Sequence, residues 1–421
     1  MTDRQFRRGI LLIAAAALVG RIVLTLVAAK PIGGDPAYFT AQGRLIAHGH
    51  WFVDPYYLKA LHVYDPSAAH PPLFSLFFAG VSRIGFESAT SYRVAAACLG
   101  GVAVGVIGYA GRRVAGARAG IVAGLIAAIY PYLWSTDLLV LSETLVALVA
   151  AVVLIAAYRY VARPSVVAAA LVGVAVAAAA LTRAESVLLF PLLALPLAWR
   201  GGGTDRAKRL VVVTVATVIP LLPWVVFNVV RFDHTEFLST GAGGALADSS
   251  CDVVFYGPRI GWWENRCIPD EPGDESSRDR ALRTLAFDYW RNHEHQLPLV
   301  MAARVGRVWE VFRPVQTAQF DWLEGRGKAS GMSGLLVYLA TVPLAVAGAF
   351  VLRARGRPLL PFLAVVVTVG LTAVVFYGGV RFRAPADVAL IVLAAAAIDA
   401  TVTAASTHNI GSADARKRGL P

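Results

Sequence analysis

Long runs of apolar residues recur along the whole 421-residue sequence and limit what the chain can fold into. A run of about 20 apolar residues spans the hydrocarbon core of a bilayer as a helix, which satisfies its own backbone hydrogen bonds. Hydrophobic residues make up 57% of the chain and charged residues only 16%, with a mean hydropathy of +0.61. Such values exclude an ordinary water-soluble domain. The sequence therefore predicts an all-α integral membrane protein.

Short clusters of lysine and arginine between the apolar runs predict the topology. About ten spans are expected, at residues 9–29, 93–111, 118–136, 142–158, 165–181, 186–199, 210–228, 334–352, 359–378 and 385–404. With the N-terminus in the cytoplasm, every basic cluster between spans falls on the cytoplasmic side. Because these residues form no continuous face, the net charge of +12 is interpreted as a topology signal, and no nucleic-acid partner is expected.

Two apolar segments near the N-terminus are less regular. Residues 9–29 follow a basic stretch as in a signal peptide, but the run is long and no small-residue cleavage site follows, so a retained span is expected. Arg21 within it is interpreted either as reaching the membrane surface or as pairing with another helix. The segment 73–84 is too short to cross the membrane, and counting it as a span would place every later basic cluster on the opposite side. It is therefore predicted to be an interfacial or re-entrant helix.

Two long segments between spans are expected outside the cytoplasm: residues 30–92, the first loop segment, and residues 229–333, the second loop segment. Cys251 and Cys267 share the second loop segment, which indicates a disulfide in an oxidising compartment, with two free thiols as the alternative. The membrane domain is assigned to residues 1–404, followed by a short basic cytoplasmic tail, 405–421, that is expected to be disordered.

Several polar residues gather at the predicted outer surface. They are Asp35, His70, Glu143, Arg183, Glu185, Arg381 and Arg383. Any one of them alone is also explained as a side chain that reaches the lipid headgroups from a helix end. Their common placement on one side of the membrane favours a functional site. Arg381 and Arg383 are also exceptions to the positive-inside trend.

Arg381 and Arg383 are two residues apart and precede Pro385, which favours an extended conformation at Ala384. Side chains two apart on an extended chain point the same way, so both guanidiniums are expected to converge on one anion. Phosphate suits them, because arginine presents a planar fork of donors and keeps its charge. The alternative is a pair of interfacial arginines that contact lipid headgroups.

Asp35 lies between Gly34 and Pro36, where it is interpreted as a helix cap, as a general base that deprotonates a hydroxyl, or as both. Four histidines in the first loop segment lack the ligand spacing of a zinc site, so no metal site is predicted. His70 is expected to donate to a phosphate oxygen or to shape the turn at the two prolines that follow it. The sequence also lacks the glycine-rich phosphate loops and the nucleophile elbow of α/β-hydrolases.

Motifs in a particular order along most of the chain resemble the GT-C superfamily of membrane glycosyltransferases, in particular bacterial proteins similar to glycosyltransferase family 39. The motifs are Gly34-Asp35-Pro36-Ala37-Tyr38, His70-Pro71-Pro72-Leu73, Tyr92-Arg93, Leu141-Ser142-Glu143-Thr144-Leu145, Leu181-Thr182-Arg183-Ala184-Glu185, Pro223-Trp224 with Asn228, and Arg381-Phe382-Arg383-Ala384-Pro385. The resemblance implies a GT-C-like helical bundle with two extracytoplasmic loop regions in a bacterial plasma membrane.

The resemblance also implies a reaction: inverting transfer of a hexose or pentose from a polyprenyl-phosphate carrier to a glycan, lipid or protein acceptor outside the cytoplasm. Asp35 is the implied catalytic base. The expected substrate-binding residues are Tyr38, His70, Glu143, Arg183, Glu185, Arg381 and Arg383. No cofactor is expected to be required, and a divalent cation is not favoured, because Pro36 stands where many relatives have a second acidic residue. A transporter or flippase of lipid-linked saccharides, and an envelope scaffold, are the competing hypotheses.

Overall fold

The computed structural model describes residues 1–27, 33–200, 205–322 and 324–417, and within these ranges the regular elements are helices. In chain order the α-helices are α1 (Asp3–Val27), α2 (Asp35–Ala47), α3 (Pro55–Leu61), α4 (Leu73–Arg83), α5 (Ala89–Ala115), α6 (Ala117–Ile129), α7 (Pro131–Leu139), α8 (Glu143–Ala162), α9 (Val166–Thr182), α10 (Leu195–Arg200), α11 (Arg206–Arg231), α12 (Ala242–Ala247), α13 (Asp252–Phe255), α14 (Glu275–Asn292), α15 (Leu297–Val308), α16 (Pro314–Phe320), α17 (Lys328–Ala354), α18 (Leu360–Val375) and α19 (Ala384–Lys417). The predicted all-α class is confirmed.

Helices occupy the segments that were predicted to span the membrane. Within the described ranges, α1, α5, α8, α11, α17 and residues 380–404 are long and apolar enough to cross a bilayer, and α6 with α7 adds one bent span. Helices α9 and α18 are apolar but shorter. The chain is therefore a multi-pass membrane protein, whereas the number of about ten crossings stays a prediction.

Prolines interrupt two of the predicted spans. Ile129 ends α6 and Pro131 begins α7, and the two helices meet at an angle of 51°. Proline lacks the amide hydrogen for the helical ladder and its ring clashes with the preceding turn. For the same reason, the predicted span at 186–199 is a 3-10 turn, then a π-helical turn that contains Pro191, then α10. The expectation of an uninterrupted helix in these segments is corrected accordingly.

Small residues allow the helices of the bundle to approach until their backbones touch. A Cβ atom added to Gly120 of α6 would lie 2.6 Å from the carbonyl oxygen of Gly108 in α5. One added to Gly173 of α9 would lie 2.6 Å from the carbonyl oxygen of Val213 in α11. Apolar contact with another helix is no better than contact with lipid tails, so close packing supplies the attraction between helices in a membrane. The Ala- and Gly-rich composition of the spans follows from this requirement.

The short apolar segment after the first loop prolines forms α4, which has 11 residues and is too short to cross, as the sequence predicts. It packs against α2, with the rings of Phe39 and Phe74 5.0 Å apart edge to face. This contact fixes α2, and the residues at its N-terminus, against the bundle.

The second loop segment is attached to the end of α18 and to the first loop segment. Arg304, which is fully buried, donates to the carbonyl oxygens of Val374 and Val375 at 3.1 and 3.0 Å. Glu275 accepts a hydrogen bond from the hydroxyl of Ser67 at 2.9 Å. These bonds provide partners for carbonyl and carboxylate groups that would otherwise be unpaired. They hold the two loop segments together over one end of the bundle.

A disulfide joins Cys251 and Cys267, whose Cα atoms are 5.9 Å apart. At the other end of the sequence, α19 continues to Lys417, and residues 418–421 of the predicted basic tail lie outside the described residues. Disorder of that tail stays a prediction.

Arg21 forms a buried ion pair within the bundle, which decides between the two interpretations of this residue. Its Nε atom lies 2.6 Å from Oδ2 of Asp137 in α7, and both side chains are almost fully buried. Thr144 of α8 donates to the same carboxylate at 2.7 Å. Arg21 therefore links α1 to α7 and, through Thr144, to α8.

We predict that Asp137→Ala destabilises the protein by about 3 kcal/mol, because it leaves the Arg21 charge buried without its acid. The unfolding temperature in detergent measures the effect. The double substitution Arg21→Met with Asp137→Ala removes both charges and should recover most of the loss. An Asp137→Ala protein as stable as the wild type would contradict this account of the pair.

Candidate active site

Arg381 is the centre of a charge cluster built from distant parts of the chain. Its Nη2 atom lies 2.7 Å from Oδ2 of Asp35, its Nε atom lies 2.8 Å from Oε1 of Glu143, and Oε2 of Glu324 is 3.8 Å from the same Nε. Arg381 lies in the 3-10 turn Val380–Arg383 before α19. The cluster thus joins the start of α2, the start of α8, the second loop segment and the start of α19.

Asp35 is the first residue of α2, and Gly34 before it occupies the capping position with a φ of +58°. Glycine adopts this conformation without steric cost, and Pro36 is preorganised for the first turn of a helix. The helix therefore begins at Asp35 with Gly34 as its cap, and the interpretation of Asp35 as the helix cap is wrong. The Asp35 carboxylate contacts Arg381 and His70, the latter at 3.7 Å from Nε2 to Oδ1.

The environment of Asp35 keeps its carboxylate ionised. Burial favours the neutral acid, but the Arg381 charge and the nearby His70 outweigh it and hold the pKa of Asp35 well below its usual range. A carboxylate with a lowered pKa is a weak base. A molecule that draws Arg381 away would raise the pKa of Asp35 and make it a stronger one.

Glu143 lies behind Arg381 and is completely buried. Its Oε1 atom accepts from both Arg183 Nη1 at 2.9 Å and Arg381 Nε at 2.8 Å, so the two guanidiniums lie side by side. Arg183 also contacts Glu185 at 2.6 Å. Glu143 therefore neutralises and positions both arginines, and the structure brings Asp35, Glu143, Arg183, Glu185 and Arg381 into one cluster.

Arg383 does not join this cluster, and the predicted convergence of the two arginines on one anion is wrong. Its fully buried guanidinium contacts Glu310 at 2.8 Å and Asp387 at 2.9 Å and lies 3.5 Å from the ring centroid of Tyr338. Residues 380–383 form a 3-10 turn and not an extended chain, and with three residues per turn, side chains two apart point in different directions.

Tyr38 and His70 lie next to Asp35. The Tyr38 hydroxyl, which is buried, is 2.6 Å from the hydroxyl oxygen of Ser67, and the Tyr38 ring packs edge to face on His70 with centroids 5.2 Å apart. His70 thus reaches Asp35 directly. Tyr38 supports the histidine ring and does not line the cavity described next.

A cavity of about 490 Å³ opens beside Asp35 and Arg381. Its other walls include Arg93 from α5 and, from the second loop segment, Asp248, Trp263 and Glu324. The volume lies within the usual range of small-molecule sites. A base and a guanidinium that face the same space can act on one bound molecule.

Asp248 and Glu324 were not among the predicted site residues. Both lie in the second loop segment, where polar residues are common and follow no helical or strand period that would single them out. Trp263 was recognisable only as one of several tryptophans in that segment. Among the described residues, no group of three or more His, Cys, Asp or Glu side chains could hold a metal ion.

Part of the chain matches a known protein family. Residues 69–227, less than half of the chain, match the family model described as dolichyl-phosphate-mannose-protein mannosyltransferase. That range contains His70, Glu143, Arg183 and Glu185 but neither Asp35 nor Arg381. No curated protein matches the chain in sequence.

Among solved structures, the chain is similar to ArnT from Cupriavidus metallidurans bound to undecaprenyl phosphate, with a TM-score of 0.54 and 19% identity over 92% of this chain and 59% of that one. It is also similar to the oligosaccharyltransferase AglB from Archaeoglobus fulgidus in complex with an inhibitory peptide and a dolichol-phosphate, with a TM-score of 0.51 and 15% identity over 97% of this chain and 52% of that one. The chain has the GT-C fold. It spans little more than half the length of these GT-C proteins.

We predict that Glu143→Ala destabilises this GT-C bundle by about 3 kcal/mol, because it leaves two neighbouring arginines buried without the acid between them. Glu185→Ala is the matched control: it removes the other partner of Arg183 from a partly exposed position and should cost about 1 kcal/mol or less. The unfolding temperatures of both variants in detergent give the comparison. A loss for Glu143→Ala no larger than that for Glu185→Ala would show that Glu143 does not position the pair.

Proposed function

We propose that the protein is an inverting glycosyltransferase that moves a sugar from a polyprenyl-phosphate carrier to an acceptor hydroxyl or amine. One observation carries the proposal: Asp35 and Arg381, from opposite ends of the chain, are 2.7 Å apart at the wall of one cavity. A displacement at an anomeric carbon needs a base for the incoming group and a cation for the departing phosphate, and this pair supplies both. The GT-C fold, shared with proteins solved with polyprenyl phosphates, supports the same reading.

The donor phosphate, in this proposal, takes the place of Asp35 on Arg381. The guanidinium presents a fork of donors that matches two phosphate oxygens, and because Glu143 binds its Nε atom, the two Nη atoms are left for the phosphate. Arg183, held against the same Glu143 oxygen, adds a second positive charge nearby. Arg383, which is occupied by Glu310 and Asp387, has no part in phosphate binding.

The chemical step is a direct displacement. The acceptor oxygen forms a bond to the anomeric carbon while the bond from that carbon to the phosphate oxygen breaks. The electron pair of the broken bond leaves with the polyprenyl phosphate, whose charge Arg381 stabilises, and the acceptor proton passes to Asp35. His70, 3.7 Å from Asp35, orients the carboxylate.

Donor binding also prepares the base. While Arg381 contacts Asp35, the pKa of that carboxyl is far below its usual range and the carboxylate attracts protons weakly. A phosphate on Arg381 neutralises the cation and adds a negative charge beside Asp35, and both effects raise the pKa of Asp35. The acceptor is therefore deprotonated efficiently only after the donor has bound.

The proposal also covers the side of the membrane that the site faces and the need of the reaction for a metal ion. The site faces the extracytoplasmic side of a bacterial plasma membrane, with the N-terminus in the cytoplasm, because that orientation places the basic clusters between spans inside. The acceptor is a glycan, a lipid or a protein. In this proposal no metal ion is required, because Arg381, which contacts Asp35, Glu143 and Glu324, supplies the positive charge for the departing phosphate.

A transporter or flippase of lipid-linked saccharides would place its ionisable residues near the membrane midplane on interrupted helices. Here the cluster is built from helix starts and loop residues at one end of the bundle. Neither the family model nor the similar structures support a transporter.

We predict that Asp35→Asn lowers turnover by about 100-fold or more, the usual contribution of a general base, while binding of undecaprenyl phosphate is retained or strengthened. The substitution removes the base and also releases Arg381 from its competing carboxylate. Purified protein is incubated with a panel of polyprenyl-phosphate sugars, and release of the lipid phosphate is measured.

Arg381→Gln is the complementary control, because it keeps a polar side chain but removes the cation. It should weaken binding of undecaprenyl phosphate. Full turnover by Asp35→Asn would remove this residue as the base, and unchanged lipid-phosphate affinity in Arg381→Gln would refute the phosphate site.

We predict different pH profiles for kcat and for kcat/KM of the donor. The pH profile of kcat/KM reports the free enzyme, where the pKa of Asp35 is lowered. We therefore expect kcat/KM to stay constant as the pH falls, until strongly acidic conditions protonate Asp35. The pH profile of kcat reports the donor complex, where the pKa of Asp35 is higher. The acid limb of kcat should therefore lie at a higher pH than that of kcat/KM. Thermal unfolding at each pH checks that the protein stays folded. Coinciding acid limbs would mean that the donor does not exchange with Asp35 on Arg381.

A further inference from the structure

The second loop segment supplies a wall of the cavity that the proposed chemistry does not use. Asp248, Trp263 and Glu324 line the same space as Asp35 and Arg381. Asp248 directly follows α12, and Trp263 and Glu324 lie in turns before α14 and after α16. These residues face the pair that acts on the anomeric carbon and the phosphate, where the remaining part of the donor has to lie.

Two carboxylate oxygens in this wall lack a hydrogen-bond donor. Oδ1 of Asp248 and Oε2 of Glu324 are buried atoms without a hydrogen-bond partner among the described parts of the chain. The Glu324 side chain is only 4% exposed, and its Oε2 atom is no closer than 3.8 Å to Arg381 and 4.0 Å to Arg326. Buried acceptors without donors are costly unless a ligand or water completes them. Their position beside an open cavity indicates a ligand that carries hydroxyl groups.

Asp248 does not serve as the hydrogen-bonded counterion of a described arginine. Arg304, whose charge acts on Asp248, directs its hydrogen bonds to the carbonyl oxygens of Ser249, Val374 and Val375. Burial raises the pKa of Asp248 well above its usual range, and the Glu324 charge acts in the same direction. A carboxyl group that both accepts and donates hydrogen bonds suits a sugar hydroxyl, which does the same.

Trp263 provides an apolar surface beside these carboxyl groups and is held rigidly. Its indole N–H donates to Oε1 of Glu324 at 3.2 Å, and its ring is inclined by 23° to the buried ring of Trp262 with centroids 6.3 Å apart. The Tyr377 ring is 6.4 Å away at an angle of 55°. An aromatic face next to fixed acceptors matches the two kinds of surface that a sugar ring presents, its C–H face and its hydroxyl rim.

The Cys251–Cys267 disulfide holds this wall together. Asp248 precedes Cys251 by three residues and Trp263 precedes Cys267 by four, so the bridge joins the two stretches that carry them. In addition, the backbone N–H of Glu264, next to Trp263, donates to the carbonyl oxygen of Asp248 at 2.8 Å. The wall is thus preorganised without a bound molecule, which lowers the entropic cost of binding.

From this geometry we propose that Asp248, Trp263 and Glu324 form the subsite for the donor sugar, and that it takes a sugar without an acidic group. The proposal rests on the proposed transferase function and adds a substrate class to it. Hydroxyl groups donate to the two carboxyl groups and the ring packs on Trp263. A uronic acid would place its carboxylate against the buried carboxyl groups of Asp248 and Glu324, where an added negative charge is unfavourable, and is rejected.

The test compares the affinity of full-length protein for bare undecaprenyl phosphate with its affinity for undecaprenyl phosphate that carries neutral hexoses, pentoses or galacturonic acid. The wild type should bind at least one neutral-sugar carrier more tightly than the bare carrier, and the galacturonyl carrier at least about 10-fold more weakly than the best neutral one. In Asp248→Ala the preference for the neutral sugar should fall about 10-fold or more, while affinity for the bare carrier stays the same. Asp270→Asn, an exposed acid of the same loop segment, is the matched control and should change neither affinity.

Each contrary result overturns a defined part of the account. An equal loss of both affinities in Asp248→Ala, or a wild type that binds no sugar-loaded carrier better than the bare one, overturns the subsite and leaves the phosphate site standing. Equal affinity for galacturonyl and neutral carriers overturns the exclusion of acidic sugars. A wild type that binds no polyprenyl phosphate at all overturns the proposed function, and the subsite with it. Unchanged affinity for the bare carrier also shows that Asp248→Ala has folded.

Discussion

The contacts of Arg381 with three carboxylates hold the site together. A guanidinium in a largely water-free environment carries a high desolvation cost, which acids must offset at close range. Asp35 comes from α2, Glu143 from α8 and Glu324 from the second loop segment, so the position of each of these elements depends on the same cation. The bundle is packed by small residues, but the placement of the loop segments on it depends on charge.

The same interaction gives the site two states. Without a donor, Arg381 is neutralised by protein carboxylates, and Asp35 is kept ionised but weakly basic. In the proposed function, a donor phosphate competes for the guanidinium, and Asp35 then gains basicity when the acceptor has a sugar to attack. The second loop segment adds the wall of Asp248, Trp263 and Glu324, which faces the space beside the reacting carbon. In the proposed function, the order of donor binding and acceptor deprotonation thus follows from electrostatics.

The features that could be predicted from the sequence are those that depend on composition or on motifs in a known order along the chain. Apolar length and basic clusters predicted helices in the right segments, and the resemblance to GT-C proteins brought Asp35 and Arg381 into one site. The two-residue spacing of Arg381 and Arg383 failed as a guide, because the chain forms a 3-10 turn there and sends Arg383 into the bundle. Asp248 and Glu324 were missed because long-range packing of an aperiodic loop, which leaves no local pattern, brings them to the cavity.

A structure of the protein with undecaprenyl phosphate bound tests the central claim most directly, through the contacts of the Arg381 guanidinium. We expect a phosphate oxygen within about 3 Å of that guanidinium and the Asp35 carboxylate separated from it. Glu143 should keep its contacts with Arg183 and Arg381. A phosphate bound elsewhere, with the Asp35–Arg381 ion pair intact, would contradict the account.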